Sequence, residues 1–182
     1  MAVPGRHQVI NALAAAAMEA CGIPWEAILS GLSHYIGAGR RMERKGEVNG
    51  AAVYDDYGHH PTEVKATLEG AKALCTAGRE DGRLICVFQP HTYSRTANLY
   101  PLFLNAFDAA DKVLLMDIYA AREENTYNVS SKLLARTIGQ HAEYIDSFEG
   151  IADYLRRNVY EGDVIIVMGA GDTYKLFPLM GL

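Results

Sequence analysis

The sequence predicts an α/β protein built on a doubly wound, mostly parallel sheet of about five to six strands, with one antiparallel edge and two helices ahead of it. Three observations predict it. From residue 51 onward short β-rich runs alternate with helical patterns, the order that a parallel sheet covered by helices on both faces requires. The runs LICVF, VLLMD and VIIVM are almost continuously apolar, as strands buried on both sides must be. With 182 residues, 49% of them apolar, the chain is long enough for one substantial α/β domain and a short appendage.

Taken in order, residues 8–21 (QVINALAAAAMEAC) place Val9, Leu13, Ala17 and Met18 along one helical face, and Gly22 with Pro24 ends the pattern. A second helix starts at Pro24, a favourable first-turn residue, and carries Trp25, Ile28, Leu29 and Leu32. The glycine-rich, basic stretch GAGRRMERKGE that follows reads as a boundary. A lone helical pair has no partner in the α/β scheme. Residues 1–40 are therefore expected to be the end of a preceding domain, and 41–182 the α/β domain. Glu43 to Val48, followed by the turn Asn49-Gly50, predicts a hairpin onto AAVYDDY, which supplies the antiparallel edge. Helices are then expected over 61–76, 95–107, 130–140, 147–158 and 172–179, alternating with LICVFQ, VLLMD, EYI and VIIVM.

The net charge of -5 gives no general attraction to nucleic acid or to anionic lipid, so neither is expected as a partner. An anionic ligand must instead meet a local cluster of arginines and backbone N–H groups. Cys21, Cys75 and Cys86 are odd in number and lack metal-ligand spacing, so they read as reduced thiols. The opening MAVPGRHQ has no signal-peptide pattern, and no apolar run is long enough to span a bilayer. The expected compartment is the cytoplasm.

In an open α/β sheet, ligands bind beyond the carboxyl ends of the strands. Four such ends are chemically dense. Asp55-Asp56-Tyr57-Gly58-His59-His60-Pro61 fits ligand contact, a solvated turn with a capping carboxylate, or a metal site, although adjacent His59 and His60 do not easily face one ion. Gln89 to Thr96 puts His91 and Arg95 at a helix start, where the dipole favours an anion; a capped helix with a surface arginine is the plainer alternative. A third end joins Asp117-Ile118-Tyr119 to Arg122–Glu124. The fourth, Gly169-Ala170-Gly171-Asp172, lacks the rest of a dinucleotide fingerprint; its glycines fit close backbone approach, with Asp172 capping the last helix. Arg40 and Arg41 at the boundary are either solvated or placed to reach a phosphate between domains.

In order, GRHQVINALAAAA, RRMERKGE, DDYGHHPTEVKATL, VFQPHTYSRT, DIYAAREE and VMGAGD resemble the Mur ligase family, and its alanine-adding branch above the others. The resemblance implies an ATP-dependent ligase of peptidoglycan precursor synthesis, in which the carboxylate of UDP-N-acetylmuramate is activated as an acyl phosphate and attacked by the amine of L-alanine, with Mg2+ in support. It implies that residues 1–40 end a central ATPase domain and that the sheet is Rossmann-like. It assigns adenine contact to His7 and Asn11, a position near ATP to Arg41, and ribose to Asp56. Tyr57, His59, His91 and Arg95 match positions that face the sugar nucleotide or the amino acid. His59 and His91, able to exchange protons near neutral pH, are the candidates for orienting substrate or relaying protons.

No GxxxxGK[ST] phosphate loop occurs in the 182 residues. By the resemblance, that loop, the metal ligands and the sugar-nucleotide recognition domain belong to missing N-terminal and central domains. The chain is expected to carry no metal site, to hold the phosphates poorly and to be inactive alone. A muropeptide-recycling ligase of the same family and a non-catalytic binding module with this fold are the alternative readings.

Overall fold

The computed structural model describes residues 6–35, 38–76 and 81–182, and for Arg6, His7, Gln8 and Thr76 the backbone only. Helix α1 (Arg6–Ala16) passes through a 3-10 turn (Ala17–Cys21) into a left-handed cap at Gly22, and α2 (Trp25–His34) follows Pro24. Strands β1 (Glu43–Val48) and β2 (Ala51–Asp56) form the expected hairpin around Asn49-Gly50. The rest alternates: α3 (Pro61–Thr76), β3 (Leu84–Phe88), α4 (Tyr93–Asn98), α5 (Tyr100–Phe103), β4 (Lys112–Leu115), α6 (Ser131–Ile138), β5 (Ala142–Tyr144), α7 (Phe148–Asn158), β6 (Val164–Met168), a 3-10 turn (Thr173–Lys175) and α8 (Leu176–Met180).

The six strands form one sheet in the order β1-β2-β6-β3-β4-β5, antiparallel only between β1 and β2. The crossovers β2→β3→β4→β5 advance in one direction, so their right-handed helices α3, α5 and α6 share one face. The return from β5 to β6 runs the other way, which sends α7 to the opposite face, where α8 joins it. Period-two side-chain alternation divides the core to match. Leu84, Cys86 and Phe88 of β3 pack with Val64 and Leu68 of α3, Phe103, Phe107 and Leu134. Ile85 and Val87 pack with Ile151 and Leu155 of α7, and with Leu176 and Phe177 of α8.

Two expectations about elements are corrected. The single helix over 95–107 is two short helices and a run of turns, because Pro101 has no N–H to continue the ladder and sits in the first turn of α5 instead. Asp172 stands at the start of the last helical stretch without a side-chain capping bond; its carboxylate accepts from Lys175 Nζ at 2.7 Å. The helical pair does not pack onto the sheet as a layer of the core. Ile28 is buried, whereas Val9, Ile10, Leu13, Trp25 and Leu29 stay exposed.

Candidate functional site

The helices after β2 and β3 lie on one face and the helix after β6 on the other. The strand-order switch therefore falls at the end of β6, between the ends of β2 and β3, where an open α/β sheet has its crevice. The strand ladder runs on past the named ends. Gly169 N donates to Asp56 O at 3.1 Å, Gln89 N to Met168 O at 3.0 Å, and Met116 N to Phe88 O at 3.0 Å. Gly169 adopts φ 145°. A β-carbon on Gly169 would lie 2.8 Å from Gln89 O, and one on Gly171 would lie 2.5 Å from Gln89 Oε1 and 2.7 Å from Tyr119 Cγ. The glycines of the GAGD segment thus permit three strand ends to close together. Gln89 completes the joint by accepting from Asp172 N at 2.8 Å.

Across these ends runs a row of rings. Tyr57 meets His59 edge-on at 5.6 Å between centroids; His59 lies 5.7 Å from His91; His91 stacks on Tyr119 at 5.5 Å and 28°. Arg95 Nη1 lies 3.4 Å from His91 Nδ1, four residues earlier in sequence. Arginine has no acceptor, so this contact calls for an unprotonated Nδ1 and places the proton of a neutral His91 on Nε2. His59 has the opposite arrangement: its Nδ1 faces Tyr57 O at 3.1 Å, a carbonyl that can only accept, which leaves His59 Nε2 as an acceptor. Partial burial, then Arg95 and His59, hold the His91 pKa below its ordinary value.

Beside the row lies a cleft of about 470 Å³ between the helical pair and α3, lined by Asn11, Tyr35, Arg41, Asp56, Glu63 and Thr67 among others. Three of the residues singled out for nucleotide contact, Asn11, Arg41 and Asp56, therefore meet in one place. His7 is in the same helix as Asn11, but its side chain is outside the described residues. Arg41 joins cleft to row, with its guanidinium carbon 5.9 Å from the Tyr57 ring and its Nη1 3.6 Å from Glu63 Oε1. Asp56 is 3% exposed and already employed: Oδ2 accepts from Met42 N at 3.0 Å and Oδ1 from Gly58 N at 2.7 Å. Burial pushes its pKa up while those bonds pull it down.

The roles of several residues escaped sequence reasoning, and Arg40, expected to be solvated or to reach a phosphate, does neither. Arg40 clamps the boundary to the sheet by donating to Asp55 Oδ2 at 3.0 Å, Gly169 O at 2.8 Å and Thr173 Oγ1 at 2.9 Å, with its guanidinium carbon 5.0 Å from the Tyr57 ring. The α3 start is capped from within: Glu63 Oε2 accepts from His59 N and His60 N. The expectation of a ligand anion at the start of α4 is also amended. Glu123, from the loop after β4, accepts from Ser94 N at 2.8 Å and from Ser94 Oγ there. Such partners hold the Glu123 carboxyl below the usual range. Among the described residues no group of three or more His, Cys, Asp or Glu side chains is placed to hold a metal ion, and no helix is long and apolar enough to cross a membrane.

Residues 40–171 match the family model described as "Mur ligase, glutamate ligase domain". The chain is 48% identical over 180 residues to the UDP-N-acetylmuramate--L-alanine ligase of Lachnospira eligens, covering 97% of this chain and 38% of that protein. Among solved structures it is similar to the UDP-N-acetylmuramate-alanine ligase of Thermotoga maritima, with TM-score 0.77 and 25% identity over 98% of this chain and 38% of that one. The murein peptide ligase of Psychrobacter arcticus superposes less closely, with TM-score 0.62 and 27% identity over 97% of this chain and 37% of that one. The chain thus spans little more than a third of these relatives' length and corresponds to their C-terminal portion.

Proposed function

The chain belongs to the Mur ligase family, and from that premise we propose that it forms one wall of an ATP-dependent ligase that joins L-alanine to UDP-N-acetylmuramate for peptidoglycan. In this reading residues 1–40 are the last helices of a central ATPase domain, residues 41–182 are the C-terminal domain, and the work is cytoplasmic. The observation that carries it is the convergence of Tyr57, His59, His91 and Arg95 at the strand-order switch, joined through Arg41 to the cleft of Asn11 and Asp56.

Each side chain has a task that its surroundings favour. The cleft is of a size to take an adenosine, and Asn11 supplies a polar edge for the base; the family resemblance assigns His7 to the same contact. Asp56 keeps lone pairs beyond the two in use, which suit ribose hydroxyls. Arg41 adds positive charge where the cleft turns toward the strand ends. Arg95 makes no ion pair among the described residues, so its planar fork suits an amino-acid carboxylate. Neutral His91, donating through Nε2, steadies the same carboxylate or the sugar nucleotide. His59 Nε2 can accept a proton from the incoming amine. ATP and Mg2+ supply activation of the muramate carboxylate, and the phosphate loop and metal ligands are assigned to the preceding domains.

The test is ligation by the complete enzyme. It is expected to couple ATP hydrolysis to L-alanine addition, and this chain alone is expected to do neither. Arg95→Met should raise the L-alanine KM roughly 10- to 100-fold, since a charge-assisted pair contributes about 1.5–3 kcal/mol. An enzyme that prefers an intact tripeptide to L-alanine would reassign the chain to the recycling branch, and turnover by the isolated chain would overturn the division of labour.

A further inference from the structure

The loop that follows β4 has no part in the reading above, yet it is tied to the site at four points. Tyr119 N donates to Pro90 O at 2.8 Å and Thr92 N donates to Tyr119 O at 2.9 Å, a parallel bridge that joins residues 91 and 119 beyond the ends of β3 and β4. The Tyr119 ring stacks on His91, and the bare Cα of Gly171 leaves room for the tyrosine side chain. Four residues later, Glu123 accepts from both the amide and the hydroxyl of Ser94. Glu123 is itself fixed, its N–H donating to Ala120 O at 2.9 Å.

What the loop grips is a turn that would not hold its shape unaided. Thr92 sits at φ 65° and ψ 147°, a positive-φ conformation that costs a β-branched residue energy unless its surroundings enforce it. His91 and Arg95 stand on either side of Thr92, so the angle of that one residue sets how ring and guanidinium face each other. The α4 start has its own capping bond, Arg95 N donating to Thr92 Oγ1, but at 3.4 Å it is long. Glu123 adds the two bonds that fix Ser94 between the histidine and the arginine. The contacts lie at the rim of the crevice and not in either core cluster.

We propose that Tyr119 and Glu123 are positioning residues: the loop after β4 straps the His91–Arg95 turn so that the imidazole and the guanidinium meet the amino acid as one fixed pair. This rests on the assignment of His91 and Arg95 to substrate binding. The tyrosine acts through its ring and backbone, so Tyr119→Phe should be tolerated where Tyr119→Leu is not. Glu123 acts through two acceptor oxygens, so Glu123→Ala should release Ser94.

Two measurements test the strap. In the complete ligase, Tyr119→Leu and Glu123→Ala should each raise the L-alanine KM by about tenfold or more while the ATP KM stays unchanged, because misplacing a binding group by about 1 Å is costly. In the chain by itself, Glu123→Ala should speed exchange of the Ser94 amide while leaving the amides of β3 and β6 protected. With wild-type ligation intact, an L-alanine KM that stays within about twofold in both variants overturns the proposal, as does Tyr119→Phe proving as harmful as Tyr119→Leu. Unchanged Ser94 exchange in Glu123→Ala overturns it whatever the enzyme does. A wild-type enzyme that does not ligate L-alanine refutes the functional reading, and the exchange result then judges the strap by itself.

Discussion

Single residues show what spacing can and cannot reveal. His91 and Arg95 are legible together because both fall where a helix is expected to start after β3, and the structure places them 3.4 Å apart, although His91 precedes α4 and Thr92 between them is not helical. Glu123 is 29 positions from Ser94 and no local pattern joins them, so the sequence leaves the α4 start as either an anion site or a capped helix without showing that Glu123 caps it. Asp56 shows the same limit in another form: its chemistry is visible in DDYGHH, but not that Met42 N, from the boundary, comes back to bind it. The His91 environment has a consequence for pH. Burial, Arg95 and His59 disfavour its charged form, so the folded pKa lies below the ordinary 6.5. The unfolded chain then binds more protons between the folded value and 6.5. Stability from this group is complete above 6.5 and is lost as pH falls through the folded pKa. A histidine NMR titration of the chain should place His91 below 6.5, and Arg95→Met should move it upward by removing a neighbouring positive charge. A midpoint at or above 6.5 would remove the basis for a neutral donor.

Whole elements were legible wherever hydrophobic runs were long. The strands around LICVF and VIIVM, buried along their full length, and the hairpin at Asn49-Gly50 follow directly from pattern and turn chemistry. The stretch after β3 did not, because periodicity counts apolar residues without asking whether a proline interrupts the ladder. There Leu99 and Pro101 bend the chain, and the bend turns Phe103 and Phe107 against Phe88. The ring centroids lie 5.6 Å and 5.2 Å from Phe88 and 6.3 Å from each other. Phe88 ends at the site: the next residue is Gln89, which binds Asp172 N. This cluster therefore fixes the height of the β3 end as well as filling the core. Phe107→Ala, at a position with 0% exposure, should cost about 3–5 kcal/mol in urea unfolding, the range for emptying an aromatic site in a packed core. A loss below about 1 kcal/mol would mean that the cluster collapses around the gap and does not set the strand end.

At the scale of the molecule, the α/β class was legible but the strand order was not, because β6 enters between β2 and β3 and nothing in VIIVM records its neighbours. That insertion creates the switch point and hence the site. The helical pair obeys a different balance. Val9 is 57% exposed, Leu13 65% and Leu29 48%, and an apolar groove of about 480 Å³ runs between α1 and α2 past Ala12, Ala15 and Ile28. Among the described elements of the sheet domain, α3 is the one that packs most against α1. Exposed apolar area of this extent is stabilised by whatever removes it from water, at roughly 25 cal/mol per Å². In the proposed enzyme the central ATPase domain does so. In the isolated chain another copy can do so, and light scattering should show average mass rising with concentration. Leu13→Glu combined with Leu29→Glu should abolish the rise without lowering the stability of the α/β core, since both side chains point to solvent and neither belongs to a core cluster. A mass that stays monomeric across concentration would show that the pair finds cover within its own chain.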